Sequence, residues 1–522
     1  MSAASKRPDR PNILIFMTDQ EVADVVHPDH PCRTAHVSRL AEEGVLFSQT
    51  YCPTAHCCPS RATFMTGLYP SRHGVHNNVS NPVALSRGVK PGVRMFSEDL
   101  RAAGYHLTYT GKWHVSDEEN PADRGWHELL VTAGKGSVMH TGWDRWAKPP
   151  DEPPNAERER GRIWRPGWGT YRLYGSTPDG GPKGYESHHD YRVLESGVAA
   201  LADLARLDGP WVLYIGLVGP HDPFVIPERF ARMYDPRKVE LPPSFADTME
   251  DKPRVYQRMR RMYWGQLTEE EVRESIAHYW GYCTMLDEMF GEVLTALSAT
   301  GQQDNTVVMF TSDHGDYCGA HGLYCKGVPA FREAYRVPLV VRWPRGISSP
   351  NREQNEFISL ADCAPTFLEV GGCEAPKGLT GRSLVPFLGG RAPSDWRDEM
   401  QAQFDGVELY YSQRSVRTRK WRYTCNGFDF DELYDLENDP HETVNLADPS
   451  RYPQPKLHAG ETARSGAYRP WPHLTPELEQ VREGLLRRIW RFGRAEDDML
   501  CNPYVTVALA PEGPAEALAN GQ

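Results

Sequence analysis

The 522-residue chain has no apolar run long enough to cross a bilayer; the first, Ile13 to Met17, is far too short. Its opening stretch, MSAASKRPDRPN, is charged and has no apolar export segment behind it. These two absences predict a cytoplasmic protein. Cysteine occurs 11 times, an odd count that excludes a complete disulfide framework. No C-x-x-C pair exists to suggest a zinc ribbon, and the Cys318/Cys325 spacing is not that of a known zinc site. A basic excess is lacking too. The net charge of -12 argues against nucleic acid or an anionic membrane as partner. An anionic small-molecule substrate would need a local cluster of cations to overcome that field. No internal repeat is present.

What the chain does have is a recurrent pattern of short apolar runs separated by helical periodicity. The runs are Asn12 to Met17, Trp211 to Val218, Thr306 to Phe310 and Val337 to Val341. Helical patterns cover Val37 to Glu43, Met95 to Ala103, Tyr191 to Leu207 and Val272 to Leu297. Strands alternating with helices predict an α/β fold with a mostly parallel sheet, whose ligands sit beyond the carboxyl ends of the strands. Asp19, His221, Asp313 and His314 all fall at such ends. The length suits a large domain, set at 1–391, and a smaller α+β subdomain, set at 392–522. Within the first, 143–187 is rich in Pro, Gly, Trp and Arg without a period, and reads as an insertion over the site. Trp143, Trp146, Trp164 and Trp168 there could stack on a substrate or pack a lid. The apolar tail after Asp497 is expected to mediate homo-oligomerisation.

The sharpest local signal is Cys57-x-Pro59-Ser60-Arg61 followed by Thr66-Gly67. It resembles the signature of the formylglycine-dependent sulfatases of the alkaline-phosphatase-like superfamily. That resemblance implies that Cys57, not Cys58, is oxidised to formylglycine by a formylglycine-generating enzyme. The hydrated aldehyde then offers one hydroxyl as nucleophile and a second to expel the product. Arg61 would hold the developing charge.

The resemblance continues along nearly the whole chain. Asp19, Gln20, Asp313 and His314 match the family's metal ligands, with Cys57 as formylglycine the fifth. Gln20 and His314 stand where many sulfatases carry an acid and Asn, and this resembles the choline-sulfatase and phosphonate monoester hydrolase branch. The implied cofactor is one divalent ion, Ca²⁺ or Mn²⁺, and a nitrogen ligand favours Mn²⁺. Gly111-Lys112-Trp113-His114 resembles the family's G-K-W-H segment, with Lys112 a sulfate ligand and His114 a base. Pro220 to Phe224 resembles H-x-P-F, with His221 near the leaving oxygen. Lys326 matches the late sulfate-binding lysine, and Asn78 lies in a region close to the site in relatives. Arg61, Lys112, Lys326 and the metal supply the positive patch that an anionic ester needs. SLADCAPTFLEVGG and DELYDL resemble later family segments. His188-His189-Asp190 reads as substrate contact or solvated surface.

The expected activity is sulfuric ester hydrolysis, of arylsulfatase type, on a small anionic ester. The alternative is a phosphonate monoester hydrolase or phosphodiesterase with the same nucleophile; Lys112 and His114 weigh toward sulfate. A non-catalytic binding protein on this scaffold would be expected to have lost ligand or cation positions, and none is lost.

Overall fold

The computed structural model describes residues 10–136, 158–165, 169–406, 410–427, 429–451 and 474–501. Trp143, Trp146, Trp168 and most of the tail expected to mediate oligomerisation lie outside the described residues. Among the described residues no helix is long and apolar enough to cross a membrane.

An eight-stranded mixed sheet forms the centre. Its strands are β1 (Asn12–Thr18), β2 (Val45–Phe47), β3 (His106–Lys112), β4 (His127–Thr132), β5 (Trp211–Gly216), β6 (Thr306–Ser312), β7 (Leu339–Arg342) and β8 (Arg352–Gln354). They run in the order β8-β2-β7-β6-β1-β5-β3-β4. All neighbours are parallel except those of β7, which is antiparallel to both β6 and β2. This is the expected mostly parallel α/β fold. The central strands read as unbroken apolar runs because helices cover both of their faces. Ile13 to Met17 are wholly inaccessible, and each such side chain contributes about 1.5–3 kcal/mol relative to exposure.

The helices needed below are α1 (Ala35–Glu42), α2 (Cys57–Thr66), α3 (Tyr191–Leu204) and the long α4 (Glu269–Ala299). Helix α4 starts at Thr268, whose hydroxyl accepts from Glu271 N while the Glu271 carboxylate accepts from Thr268 N. It packs against α1 and α3.

Strand β3 has no apolar run in sequence, and periodicity does not reveal it. Its interior positions are Thr and Tyr, which form strands well when both faces are covered. At its end Gly111 adopts φ 106°, and a Cβ there would lie 1.8 Å from the Gly216 oxygen of β5. Only glycine lets the two strands close at this point, where the chain turns Lys112 toward the site.

The insertion does contain regular structure. Arg162–Arg165 and Gly169–Arg172 form an antiparallel hairpin, and Tyr174–Thr177 pairs in parallel with Phe224–Pro227. A second, four-stranded antiparallel sheet follows: β9 (Met400–Phe404), β10 (Gln413–Arg417), β11 (Trp421–Asn426) and β12 (Glu432–Asp435). Helix α5 (Pro476–Ala495) packs on it through Leu485, Leu486 and Ile489 against Val416, Tyr423 and Leu433. This is the smaller C-terminal subdomain.

Candidate active site

Helix α2 carries the signature and is buried along its full length. Its first residue, Cys57, faces the carboxyl ends of β1 and β6. Arg61 lies one turn later, so the i, i+4 spacing turns both side chains to one side. Gly67 ends the helix in the left-handed conformation, φ 71°, with its N–H bonded to Thr63 O at 2.8 Å. Ser60 Oγ donates to Asp313 O at 2.5 Å and ties the helix to the end of β6. The residue before the helix, His56, gives no side-chain cap. Asn78 supplies one from a distance: its Oδ1 accepts from Cys58 N at 3.1 Å and lies 2.5 Å from His56 Nδ1. Asn78 thus grips the backbone that presents Cys57.

Asp19, Cys57, Asp313 and His314 bring their ligand atoms within 4.8 Å of one another. His314 Nδ1 lies 2.9 Å from its neighbour's carbonyl, Gly315 O, and donates to it, which turns Nε2 toward Cys57 Sγ at 3.2 Å. Asp19 Oδ1 looks onto Cys57 Sγ and His314 Nε2, each 3.8 Å away. The second oxygens of the two aspartates turn to Arg61, which is 1% exposed. Arg61 reaches Asp19 Oδ2 at 3.0 Å and Asp313 Oδ2 at 2.7 Å, and also donates to Lys112 O. Two carboxylates and an imidazole converging on one point suit a divalent ion that accepts oxygen and nitrogen ligands.

Lys112 Nζ stands 2.5 Å from Asp19 Oδ2 and 3.5 Å from Cys57 Sγ. Burial opposes its charge, but Asp19 and Cys57 raise its pKa. Burial also works against ionising Cys57, yet Lys112, Lys326 and His314 hold that thiol well below the ordinary range. Its neighbour Cys58 goes the other way, pushed up by burial and by Cys57 itself. The two adjacent cysteines therefore sit in opposite electrostatic surroundings. His114 sits in a strained left-handed conformation, φ 49°. Its Nε2 meets Ser80 Oγ at 3.1 Å, and its buried Nδ1 has no hydrogen-bond partner among the described residues.

A second cluster lies beside the first. Lys326 Nζ is 2.5 Å from both Gln20 Oε1 and His221 Nε2. The Gln20 amide nitrogen donates to Asp222 Oδ1 at 2.9 Å and to Asp316 Oδ2 at 2.6 Å. Thus the carboxamide expected among the metal ligands is engaged on both of its ends by neighbouring side chains. Burial raises Lys326's cost of charge, but Cys57, Asp222 and Asp19 outweigh it and its pKa rises. Burial pushes Asp316 up to about 7, helped by Asp222.

Sequence reasoning missed Asp222, Asp316, Tyr171 and Ser80 as parts of this surface. Asp222 was within reach, since it sits inside PHDPF; the others carry no local signal. It also misjudged His188-His189-Asp190. Asp190 is wholly buried, and its two oxygens accept from Val218 N and Gly219 N, each at 2.8 Å. It holds the loop that carries His221, and only His189 is exposed.

A cysteine at a helix N-terminus, facing two carboxylates and an imidazole at the carboxyl edge of a mixed α/β sheet, is the arrangement expected of a hydrolase of the alkaline-phosphatase-like superfamily, and the family match supports that class. The family model described as Sulfatase matches residues 11–373, and one described as N-sulphoglucosamine sulphohydrolase, C-terminal, matches 319–459. The chain belongs to the sulfatase family, and it is a sulfuric ester hydrolase. It is 29% identical over 540 residues to the choline-sulfatase of Rhizobium meliloti, covering 94% of this chain and 98% of that protein. It is 29% identical over 490 residues to the multifunctional alkaline phosphatase superfamily protein PehA of Trinickia caryophylli, covering 85% and 92%. Among solved structures it is similar to the phosphonate monoester hydrolase of Agrobacterium radiobacter, with TM-score 0.67, 25% identity and coverage of 84% and 92%.

Proposed function

We propose that the chain hydrolyses sulfate monoesters with Cys57, as formylglycine, facing a divalent ion held by Asp19, Asp313 and His314, with Gln20 as a further oxygen donor. The observation that carries this reading is the meeting of the Cys57 side chain with three ligand residues inside 4.8 Å, with Lys112 alongside. When bound, the ion would polarise a sulfate oxygen and neutralise its charge. The imidazole in the donor set favours Mn²⁺ over Ca²⁺. Formylglycine would supply a nucleophilic hydroxyl and, from its second hydroxyl, a way to release sulfate.

The chain's own residues do the rest. Arg61 balances the two aspartates and fixes their orientation without reaching the substrate. Lys112 is set to take a sulfate oxygen. His114 fits a base for the release step, because burial lowers its pKa and its side chain hydrogen-bonds with Cys57. His221 and Lys326 face the opposite side, where a leaving oxygen would need a proton. Asn78 supports catalysis by holding the helix rather than by touching substrate.

The test is mass spectrometry of the peptide containing Cys57 in an active preparation, paired with turnover of an aryl sulfate and an aryl phosphonate. The expected result is an aldehyde in place of the thiol and faster sulfate turnover. An unmodified thiol in a fully active sample would reject the mechanism. Faster phosphonate turnover would establish the second reading, which the likeness to the phosphonate monoester hydrolase favours; the pair Lys112 and His114 favours the first.

A further inference from the structure

We propose that Tyr171 and Asp222 are positioning residues for His221, so that the hairpin over the site governs proton delivery to the leaving oxygen. This deepens the sulfate-ester reading and rests on it.

Asp222 stands directly behind His221. The imidazole Nδ1 is 2.7 Å from the Asp222 peptide oxygen and 3.4 Å from its Oδ1. That arrangement keeps a proton on Nδ1 and turns Nε2 toward Lys326 and the site. The Asp222 peptide oxygen fixes the tautomer, with the proton on Nδ1, and the carboxylate 3.4 Å away lies beside the same ring edge. The Asp222 carboxylate is itself fixed from two directions. Gln20 Nε2 donates to Oδ1, and the Tyr171 hydroxyl donates to Oδ2. The result is a Tyr171–Asp222–His221 chain, closed through the Asp222 carboxylate on one side and its peptide oxygen on the other, that ends where the ester oxygen would leave.

Tyr171 is the one link in this chain that comes from the insertion. It sits on the Gly169–Arg172 strand of the hairpin. The hairpin's other side is bolted to α4 and its approach: Arg158 pairs with Glu271, Arg160 with Glu274, and Trp164 exchanges two 2.8 Å hydrogen bonds with Gln266. On the near side Phe224 N donates to Leu173 O at 2.7 Å, and the following strands pair in register. The loop bearing His221 and Asp222 is therefore laced to the hairpin immediately beside Tyr171. Anything that shifts the hairpin shifts the acid.

Tyr171→Phe removes the hydrogen bond and keeps the ring. The readout is the ratio of turnover for two sulfate esters. An alkyl sulfate needs its leaving oxygen protonated, whereas 4-nitrophenyl sulfate leaves as a stable phenolate. The expected result is a fall of about 10- to 100-fold on the alkyl ester and less than about threefold on the nitrophenyl ester. Asp222→Asn should give the same selectivity. His221→Ala should give it more strongly, and adding Tyr171→Phe to that variant should cost nothing more. Equal losses on both esters, or additive losses in the double variant, would overturn the proposal. A wild-type enzyme that turned over only phosphonate esters would instead reject the sulfate reading, and the same two leaving groups on phosphorus would then decide the role of Tyr171.

Discussion

Arg61 in the main domain and Arg422 in the subdomain look alike at first. Each is 1% exposed and each lies between two carboxylates. Their surroundings differ in one respect. Around Arg422, both Glu442 oxygens accept from the chain, one from Arg417 and Arg422 and the other from Arg332 N. Glu432 likewise accepts from Tyr256, Asn426, Tyr434 and Arg422. That cluster is closed. Around Arg61, each aspartate gives its Oδ2 to the guanidinium and Asp313 Oδ1 accepts from Gln20 N and His314 N, while Asp19 Oδ1, among the described residues, meets only Cys57 Sγ and His314 Nε2, each at 3.8 Å. This cluster is open toward one point. Closed charge specifies how β10 to β12 seat on the main domain; open charge is a place for something else to bind.

The two clusters should therefore fail differently. Cys57→Ala should lower kcat by about 10⁴-fold or more with the urea midpoint unchanged, because the side chain makes little of the fold. Arg422→Met should do the reverse. It strands two buried carboxylates and should cost about 3–5 kcal/mol in urea unfolding, with kcat/KM of the folded fraction held within about twofold. A loss of stability in the first variant, or of intrinsic activity in the second, would erase the distinction.

Acid separates the regions next. Burial alone would raise Glu442's pKa, but Arg417 and Arg422 bring it down to about 2 from the ordinary 4.5. A carboxyl depressed on folding stabilises the protein above its unfolded pKa, and that stability is lost as pH falls from about 4.5 toward 2. The contribution is about 3 kcal/mol. Urea midpoints at pH 5, 4 and 3 should fall more steeply for the wild type than for Glu442→Gln. Parallel slopes would show that this cluster is not the acid-sensitive element.

Metal removal addresses the open cluster alone. After chelation and dialysis, Mn²⁺ added to 100 times its Kd should stabilise the protein by about 2.7 kcal/mol, read by calorimetry. Asp313→Asn should abolish that gain. Asp498→Asn, which disturbs the contacts of Asp498 with Arg414, Gln403 and Leu500 N in the subdomain, should retain it. A gain that survived Asp313→Asn would mean that the ion binds elsewhere.

The open cluster is also the part that could be read from the sequence, and the physical reason is local. Cys57 and Arg61 share a helix face, and Asp19 and Asp313-His314 end apolar strands, so each announces itself within a few residues. The sheet's central strands are legible because both faces are apolar. β3 escaped notice because its buried positions are hydroxyl-bearing, and the insertion hairpin because its four-residue strands are set by charges on α4 rather than by a period of their own. Tyr171, Asp190 and the grip of Asn78 act across large separations in the chain. No spacing rule encodes them.

The smallest expected effect sharpens the comparison most finely, because it holds the chemistry of stability constant. Asn78 caps α2 from 20 residues away, through Cys58 N, whereas Thr475 caps α5 in the ordinary way, its hydroxyl accepting from Leu478 N at 3.3 Å. Each cap satisfies one otherwise unpaired helix N–H, so Asn78→Ala and Thr475→Ala should each cost about 1 kcal/mol in urea unfolding. Only the first of these N–H groups belongs to the turn that presents Cys57. Asn78→Ala should therefore also lower kcat, by about tenfold, with little change in KM, while Thr475→Ala leaves both where they were. Equal kinetics in the two variants would mean that Asn78 serves the helix and not the nucleophile.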